Sequence, residues 1–250
     1  MLNKKKIVVT GGSGRFAKTL KKIKCKYAFI YPKKTQLNIC NLNSMRKYLK
    51  KIRPQSVLHL AGLSRPMIEH EKNIRKSINL NIIGTANLVN ICSELKIKLI
   101  YFSTSYVYPG TKGNYNERDG VLPWNNYGWS KLGGECAVQM YKNSLILRVC
   151  MTEKPFVHKK AFANVKLNFI FHDELAWILI KIIEKKGTIN VGGPTKTVYN
   201  FAKKYNPAVK KKLIKKKLRN DFPLNPSMDL SKLKKIIKSP ISYESNKYKI

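Results

Sequence analysis

Tyr127 and Lys131 stand four residues apart in Tyr127-Gly128-Trp129-Ser130-Lys131, a spacing that puts both on one face of a helix. A phenol ordinarily keeps its proton at neutral pH, and a lysine cation beside it favours the phenolate. Such a pair can pass a proton to or from a carbinol or carbonyl oxygen while a nicotinamide carries the hydride. The same spacing also describes an amphipathic helix with one aromatic and one exposed lysine. Upstream lies Phe102-Ser103-Thr104-Ser105-Tyr106-Val107-Tyr108. A hydroxyl such as Thr104 at the carboxyl end of a strand can hydrogen-bond a reacting oxygen, although polar loops after strands are common.

A third motif, Thr10-Gly11-Gly12-Ser13-Gly14-Arg15-Phe16-Ala17, follows Ile7-Val8-Val9 and opens a helical pattern. A dinucleotide pyrophosphate needs that context. Gly11 allows a tight turn, Gly14 a close backbone approach, and Ala17 close packing of helix on sheet. An NAD-type site carries an acid after the second strand for the ribose 2′-OH; here the chain reads Tyr31-Pro32-Lys33-Lys34. Lys33 and Lys34, with Arg15, suit a 2′-phosphate, which favours NADP and leaves NAD open. In so basic a chain the two lysines read equally well as surface residues.

The elements that must position these residues alternate between strand and helix. Apolar runs at 7–10, 28–31, 57–60, 99–102 and 145–149 read as buried strands. Helical patterns cover 14–24, 43–52 (with Ser44 as cap), 74–95 and 127–141. This alternation predicts an α/β fold, a Rossmann-type doubly wound parallel sheet. From Met151 a small C-terminal part is expected, over 151–250. In it Asp173 caps a helix to about Lys185, Ile189-Asn190-Val191 forms a strand that can return to the main sheet, and the tail is helical and basic.

The chain has 250 residues, 43% hydrophobic, with 50 Lys+Arg against 13 Asp+Glu and a net charge of +37. That length predicts one to two domains. The charge favours anionic partners, yet the lysines spread along the whole chain, with the densest run at Lys210 to Arg219. No nucleic-acid module is recognisable, so no specific nucleic-acid partner is expected. The five separated cysteines suit a reducing compartment. No apolar stretch is long enough for a signal peptide or a membrane span, so a cytoplasmic protein is expected. The four histidines lack metal-ligand spacing, and no metal is expected. His59 reads as a packed loop residue, and His70, between Glu69 and Glu71, as a solvated helix start.

Taken together, in this order and context, the motifs resemble the extended short-chain dehydrogenase/reductase family over about residues 7–199. Further matches are His59-Leu60-Ala61-Gly62, Asn81-Ile82-Ile83-Gly84-Thr85, Leu147-Arg148-Val149, His172-Asp173-Glu174-Leu175-Ala176 and Val191-Gly192-Gly193. Ser103 to Tyr108 and the tail Asn225 to Leu233 are most similar to the dTDP-4-dehydrorhamnose reductase group. The resemblance implies Thr104, Tyr127 and Lys131 as a catalytic trio, with Tyr127 as proton donor and Lys131 on the nicotinamide ribose. It implies a cofactor held by Gly11, Gly14, Arg15, Phe16, Lys33, Asn38, Ala61, Gly62, Asn81, Tyr127 and Lys131. The family's usual acid after the second strand is replaced around Asn38-Ile39-Cys40-Asn41.

The implied activity is NAD(P)H-dependent reduction of a nucleotide-linked keto sugar. Two alternatives stay open: an NAD-dependent nucleotide-sugar epimerase, and a non-catalytic NADP-binding regulatory subunit. Ser105 and Tyr106 replace the acid pair of the family's dehydratases, which argues against loss of water. The stretch from Met151 to Phe171 is short where relatives carry substrate-binding segments. The helix from Tyr127 to Tyr141 is the candidate for pairing two copies into a homodimer.

Overall fold

The computed structural model describes residues 4–156, 158–215 and 223–237. Strands β1 (Lys5–Thr10), β2 (Tyr27–Ile30), β3 (Ser56–His59), β4 (Lys98–Thr104), β5 (Ser144–Val149) and β6 (Gly187–Val191) form one sheet in the order β6-β5-β4-β3-β1-β2. Every pairing is parallel, with Val9 opposite Leu58, Leu58 opposite Ile100, and Leu147 between Phe102 and Ile189. β4 and β5 are buried along their whole length, because helices cover both faces of a parallel sheet and its central strands can then be continuously apolar.

One face is covered by α1 (Arg15–Leu20), α5 (His172–Ile182) and α7 (Ser231–Ile237), through Phe16, Leu20, Leu179 and Leu233. The other is covered by α2 (Leu42–Ile52), α3 (Gly84–Glu94) and α4 (Asn126–Gln139), through Leu49, Leu88 and Val138. A separate cluster joins Tyr108, Phe171 and Phe201 of α6 (Val198–Tyr205). Beside it are three two-stranded ladders, among them Lys210–Lys212 paired with Lys160–Phe162. No helix among the described residues is long and apolar enough to cross a membrane.

The chain leaves β1 for β2 at the edge, then returns to β3 on the other side of β1. Connections depart in opposite directions there and open a crevice beyond the strand ends, where open α/β sheets bind ligands. The Rossmann-type doubly wound sheet expected from the sequence is therefore present.

Several details differ from the sequence expectations. Helix α2 is capped by Asn41, whose side chain accepts from the Ser44 N–H; Ser44 lies inside the first turn. Helix α5 starts at His172, so Asp173 lies within it, and the Glu174 carboxylate accepts from the Phe171 N–H at 3.0 Å. Helix α1 stops at Leu20, where the chain tightens through Lys22 N–H to Thr19 and Ile23 N–H to Leu20 carbonyls. The pattern over 74–95 is helical but contains a π turn, Ile78–Ile83, between Ile74–Ser77 and α3. The tail is not uniformly helical, since Lys210–Lys212 is an exposed strand; residues 216–219 of the basic run lie outside the described residues.

One buried ion pair ties the helix carrying Tyr127 to the sheet. Glu135 on α4 and Arg148 on β5 meet at 2.6 Å with side chains 1% and 6% exposed. The Ser103 hydroxyl donates to the same carboxylate. Arg148 also donates to the Tyr108 hydroxyl at 2.8 Å, which donates to Asn190 of β6 at 2.8 Å. Removing one partner leaves the other charge buried and unpaired. Glu135→Ala should lose about 3–5 kcal/mol of stability in urea unfolding.

Candidate functional site

The glycine turn sits at the switch point, and its geometry requires glycine. Gly11 has φ +69°, and a Cβ there would lie 2.7 Å from the Ala61 nitrogen. A Cβ on Gly12 would meet Tyr31 at 3.0 Å, and one on Gly14 only the Gly11 carbonyl, at 3.1 Å. The turn closes through Gly14 N–H to Gly11 carbonyl, 2.9 Å. Beside it opens a cleft of about 470 Å³, lined by the turn, by Tyr31 to Lys34, and by Asn38, Ala61 and Gly62.

Of the cofactor residues named from sequence, Gly11, Lys33, Asn38, Ala61 and Gly62 line this cleft. Phe16 is buried against Phe102 (5.1 Å) and His172 (5.8 Å), packing helix on sheet. Arg15 points elsewhere: its guanidinium pairs with Glu153 at 2.6 Å, where Arg65 also reaches at 3.4 Å. Asn81 is buried and braces the loop after β3. Its Oδ1 accepts from the Leu63 N–H (2.7 Å), and its Nδ2 donates to the Leu63 carbonyl and Ser130 hydroxyl, both at 2.8 Å.

Sequence reasoning missed Lys21. It lines the cleft and places Nζ 4.8 Å from the Tyr31 ring centroid. No local pattern marks it, because only the approach of the end of α1 to the end of β2 puts it there. The cleft's charged rim is thus Lys21, Lys33 and Lys34, without Arg15.

Thr104 ends β4 and is buried; Tyr127 lies in the first turn of α4. Asn125 caps that helix by accepting from Gly128 N–H at 2.8 Å. Gly128 is needed because a Cβ there would lie 2.7 Å from the Tyr106 carbonyl. Burial pushes the Tyr127 phenol above its ordinary range, while a hydrogen bond with Thr104 and the Arg65 charge pull it back. The phenol therefore keeps its proton at neutral pH. Burial also pushes Lys131 down to about 7, with Glu135 one turn on opposing, and its Nζ lies 4.2 Å over the Tyr101 ring. Desolvation outweighs the pull of the neighbouring groups at Tyr127.

A buried polar chain joins the glycine turn to α4. Thr85 donates to the Asn81 carbonyl at 2.7 Å, so it accepts from His59 Nε2–H at 3.0 Å. His59 Nδ1 then accepts from the Thr10 hydroxyl at 2.8 Å, whose oxygen accepts from Leu60 and Ala61 N–H. Asn81 reaches Ser130, which donates to the Tyr127 carbonyl at 2.8 Å. Burial and the nearby Lys131 push His59 down to about 3, so the ring stays neutral.

A Rossmann-type α/β fold, of the kind found in dehydrogenases and reductases, is the class that this sheet and turn define. A family model described as RmlD substrate binding domain matches residues 5–166, and the chain belongs to that family. Methionine adenosyltransferase 2 subunit beta of Pongo abelii is 29% identical over 144 residues, 54% of this chain and 42% of that protein. The match thus spans less than half the length of this relative. A dTDP-4-dehydrorhamnose reductase from Bacillus anthracis, solved in complex with NADP, superposes with a TM-score of 0.81 at 22% identity, covering 92% of each chain. A hypothetical dTDP-4-dehydrorhamnose reductase from Sulfolobus tokodaii gives 0.82 at 23% identity, covering 94% of this chain and 96% of that one. These structures share the fold.

The depressed lysine has a signature. Folded Lys131 sheds its proton near pH 7 while the unfolded residue holds it to its ordinary 10.5. Between those values the unfolded state binds more protons, and stability rises with pH. Lys131→Met should therefore be more stable than wild type at about pH 6, and that advantage should shrink by about pH 9, as read by urea unfolding.

Proposed function

We propose that the protein is an NADPH-dependent reductase of a nucleotide-linked keto sugar. The observation that supports this reading is the placement of Tyr127, half-buried in the first turn of α4, and Thr104, buried at the end of β4, on the side of the sheet where the glycine turn opens its cleft. A carbonyl reduction needs an acid at that place, since the product alkoxide must be protonated.

The cleft fits a dinucleotide on its own features. The glycines admit close approach where side chains would collide, and the Tyr31 hydroxyl is buried without a partner among the described residues. When bound, a reduced nicotinamide supplies the hydride to the keto carbon. Thr104 and Tyr127 hold the carbonyl oxygen by two hydrogen bonds, and the Tyr127 hydroxyl gives its proton to that oxygen. Lys131, which loses its proton near pH 7, is in its ammonium form the cation that steadies the phenolate or the acid that returns a proton to it. Lys21, Lys33 and Lys34 supply the charge that a 2′-phosphate needs, which favours NADP over NAD.

A second reading rests on a specific finding. The curated relative above is named a subunit of methionine adenosyltransferase, so the chain can serve as an NADP-binding regulatory subunit without turnover. The two readings part on one experiment: NADPH titration followed by tryptophan energy transfer, then NADPH oxidation with keto-sugar nucleotides. Binding with turnover supports the reductase, and binding without turnover supports the subunit. Binding of neither cofactor form sinks both.

Tyr127→Phe should keep NADPH affinity and lose about 10²–10⁴-fold in turnover, the range for a removed general acid. Lys33→Glu with Lys34→Glu should weaken NADPH by at least about tenfold and leave NADH nearly unchanged. The expected loss is the attraction of a 2′-phosphate for two cations, compared by titration of both cofactors.

A further inference from the structure

The sequence places His70, between two glutamates, at a solvated helix start. The structure corrects this: its imidazole is 0% exposed, because the Glu69–Lys72 turn folds onto the start of α4. Nδ1 meets the Ser77 hydroxyl at 2.7 Å, and Nε2 has no hydrogen-bond partner among the described residues. The ring stands edge-on to Tyr127, with centroids 5.2 Å apart and planes at 65°. Tyr106 meets Tyr127 in the same manner, at 5.9 Å and 77°. The same turn also holds Asn126, the residue before Tyr127. Its amide donates to the His70 carbonyl at 3.4 Å and to the Glu71 carboxylate.

We propose that His70 is a positioning residue for Tyr127, fixing the phenol at the carbonyl oxygen by holding its ring against Tyr106. Two perpendicular rings allow the tyrosine little rotation, and the Ser77 hydrogen bond fixes the imidazole in turn. Burial holds His70 below its ordinary value; Lys131 acts in the same direction, and Glu69 and Glu71 oppose. The neutral ring therefore works by contact and not by charge. A ring nitrogen buried without a partner costs stability that a phenylalanine would not, so the residue is unfavourable as mere filler. A proton donor must lie within about 2.6–3.2 Å of its acceptor, which makes its placement as consequential as its acidity.

This inference rests on the reading of Tyr127 as the proton donor, and its test does not depend on turnover alone. Ring-flip rates of Tyr127 are read by NMR on the full chain carrying ring-¹³C tyrosine, the resonance assigned by its loss in Tyr127→Phe. His70→Ala should speed flipping at least about tenfold and lower kcat by about 10–100-fold, the cost of a misplaced reacting group. NADPH affinity and the KM for the keto-sugar nucleotide should stay within about threefold, because His70 lies outside the cofactor cleft. His70→Phe, which restores an edge-on ring, should regain slow flipping and most of kcat.

A folded His70→Ala with wild-type flipping and wild-type kcat overturns the proposal. So does a variant in which kcat, NADPH affinity and melting temperature fall together, since that marks a general structural role. Should His70→Ala fail to fold, Ser77→Ala, which releases the imidazole without opening a large void, is judged by the same readings. If wild type reduces no keto-sugar nucleotide, the reductase reading falls, and the flip rates still decide whether His70 holds Tyr127.

Discussion

The Glu135–Arg148 ion pair, buried where water cannot screen it, holds the helix that carries Tyr127 and Lys131 to the sheet. A buried charge pair is a weak source of net stability but a strong constraint, since neither partner tolerates the loss of the other. Its geometry fixes the rotation of α4 about its axis. Glu135 faces β5, so Lys131 one turn earlier faces the sheet over Tyr101. Tyr127, a further turn back, then faces the end of β4. The pair extends through Tyr108 to Asn190, whose amide donates to the Tyr115 carbonyl at 2.9 Å. The cluster around Tyr108 and Phe171 and the helix that carries Tyr127 are thus referred to one buried point.

The second organising feature is the hydrogen-bond chain from Thr10 to Tyr127. Each hydroxyl in it donates once, and the donors run in one direction, which leaves His59 a single tautomer with the proton on Nε2. Inside a protein such networks are rigid when fully satisfied and costly when they are not. The turn that opens the cleft and the helix that carries the phenol are therefore linked by polar contacts as well as packing. The π turn at Ile78–Ile83 places Asn81 at the junction. A widened turn of this kind redirects side chains inside an otherwise regular helix.

Electrostatics at the two ends of the site differ in origin. Around Tyr127, burial dominates: it keeps the phenol protonated and brings Lys131 close to losing its proton. At the cleft rim the charges are exposed and additive, three lysines from two elements. The net charge of +37 is spread over the surface, so the rim is set apart by its position at the switch point and not by sign.

Much of this was legible in the sequence. Continuous apolar runs with helical patterns between them determine a parallel sheet covered on both faces, because only such burial suits strands without alternation. The glycine turn and Tyr127–Lys131 were readable because their geometry is local: a tight turn and one helical turn. What the sequence left open needs contacts between distant residues. That Arg15 pairs with Glu153 could not be read from the sequence, and Lys21 carried no signal until α1 met β2. His70 looked solvated beside two acids, yet the fold buries it against Tyr127. The direction of the Tyr127 shift was not legible for the same reason. Spacing places a lysine nearby, but desolvation is set by everything packed around the group, and only the tertiary structure decides that.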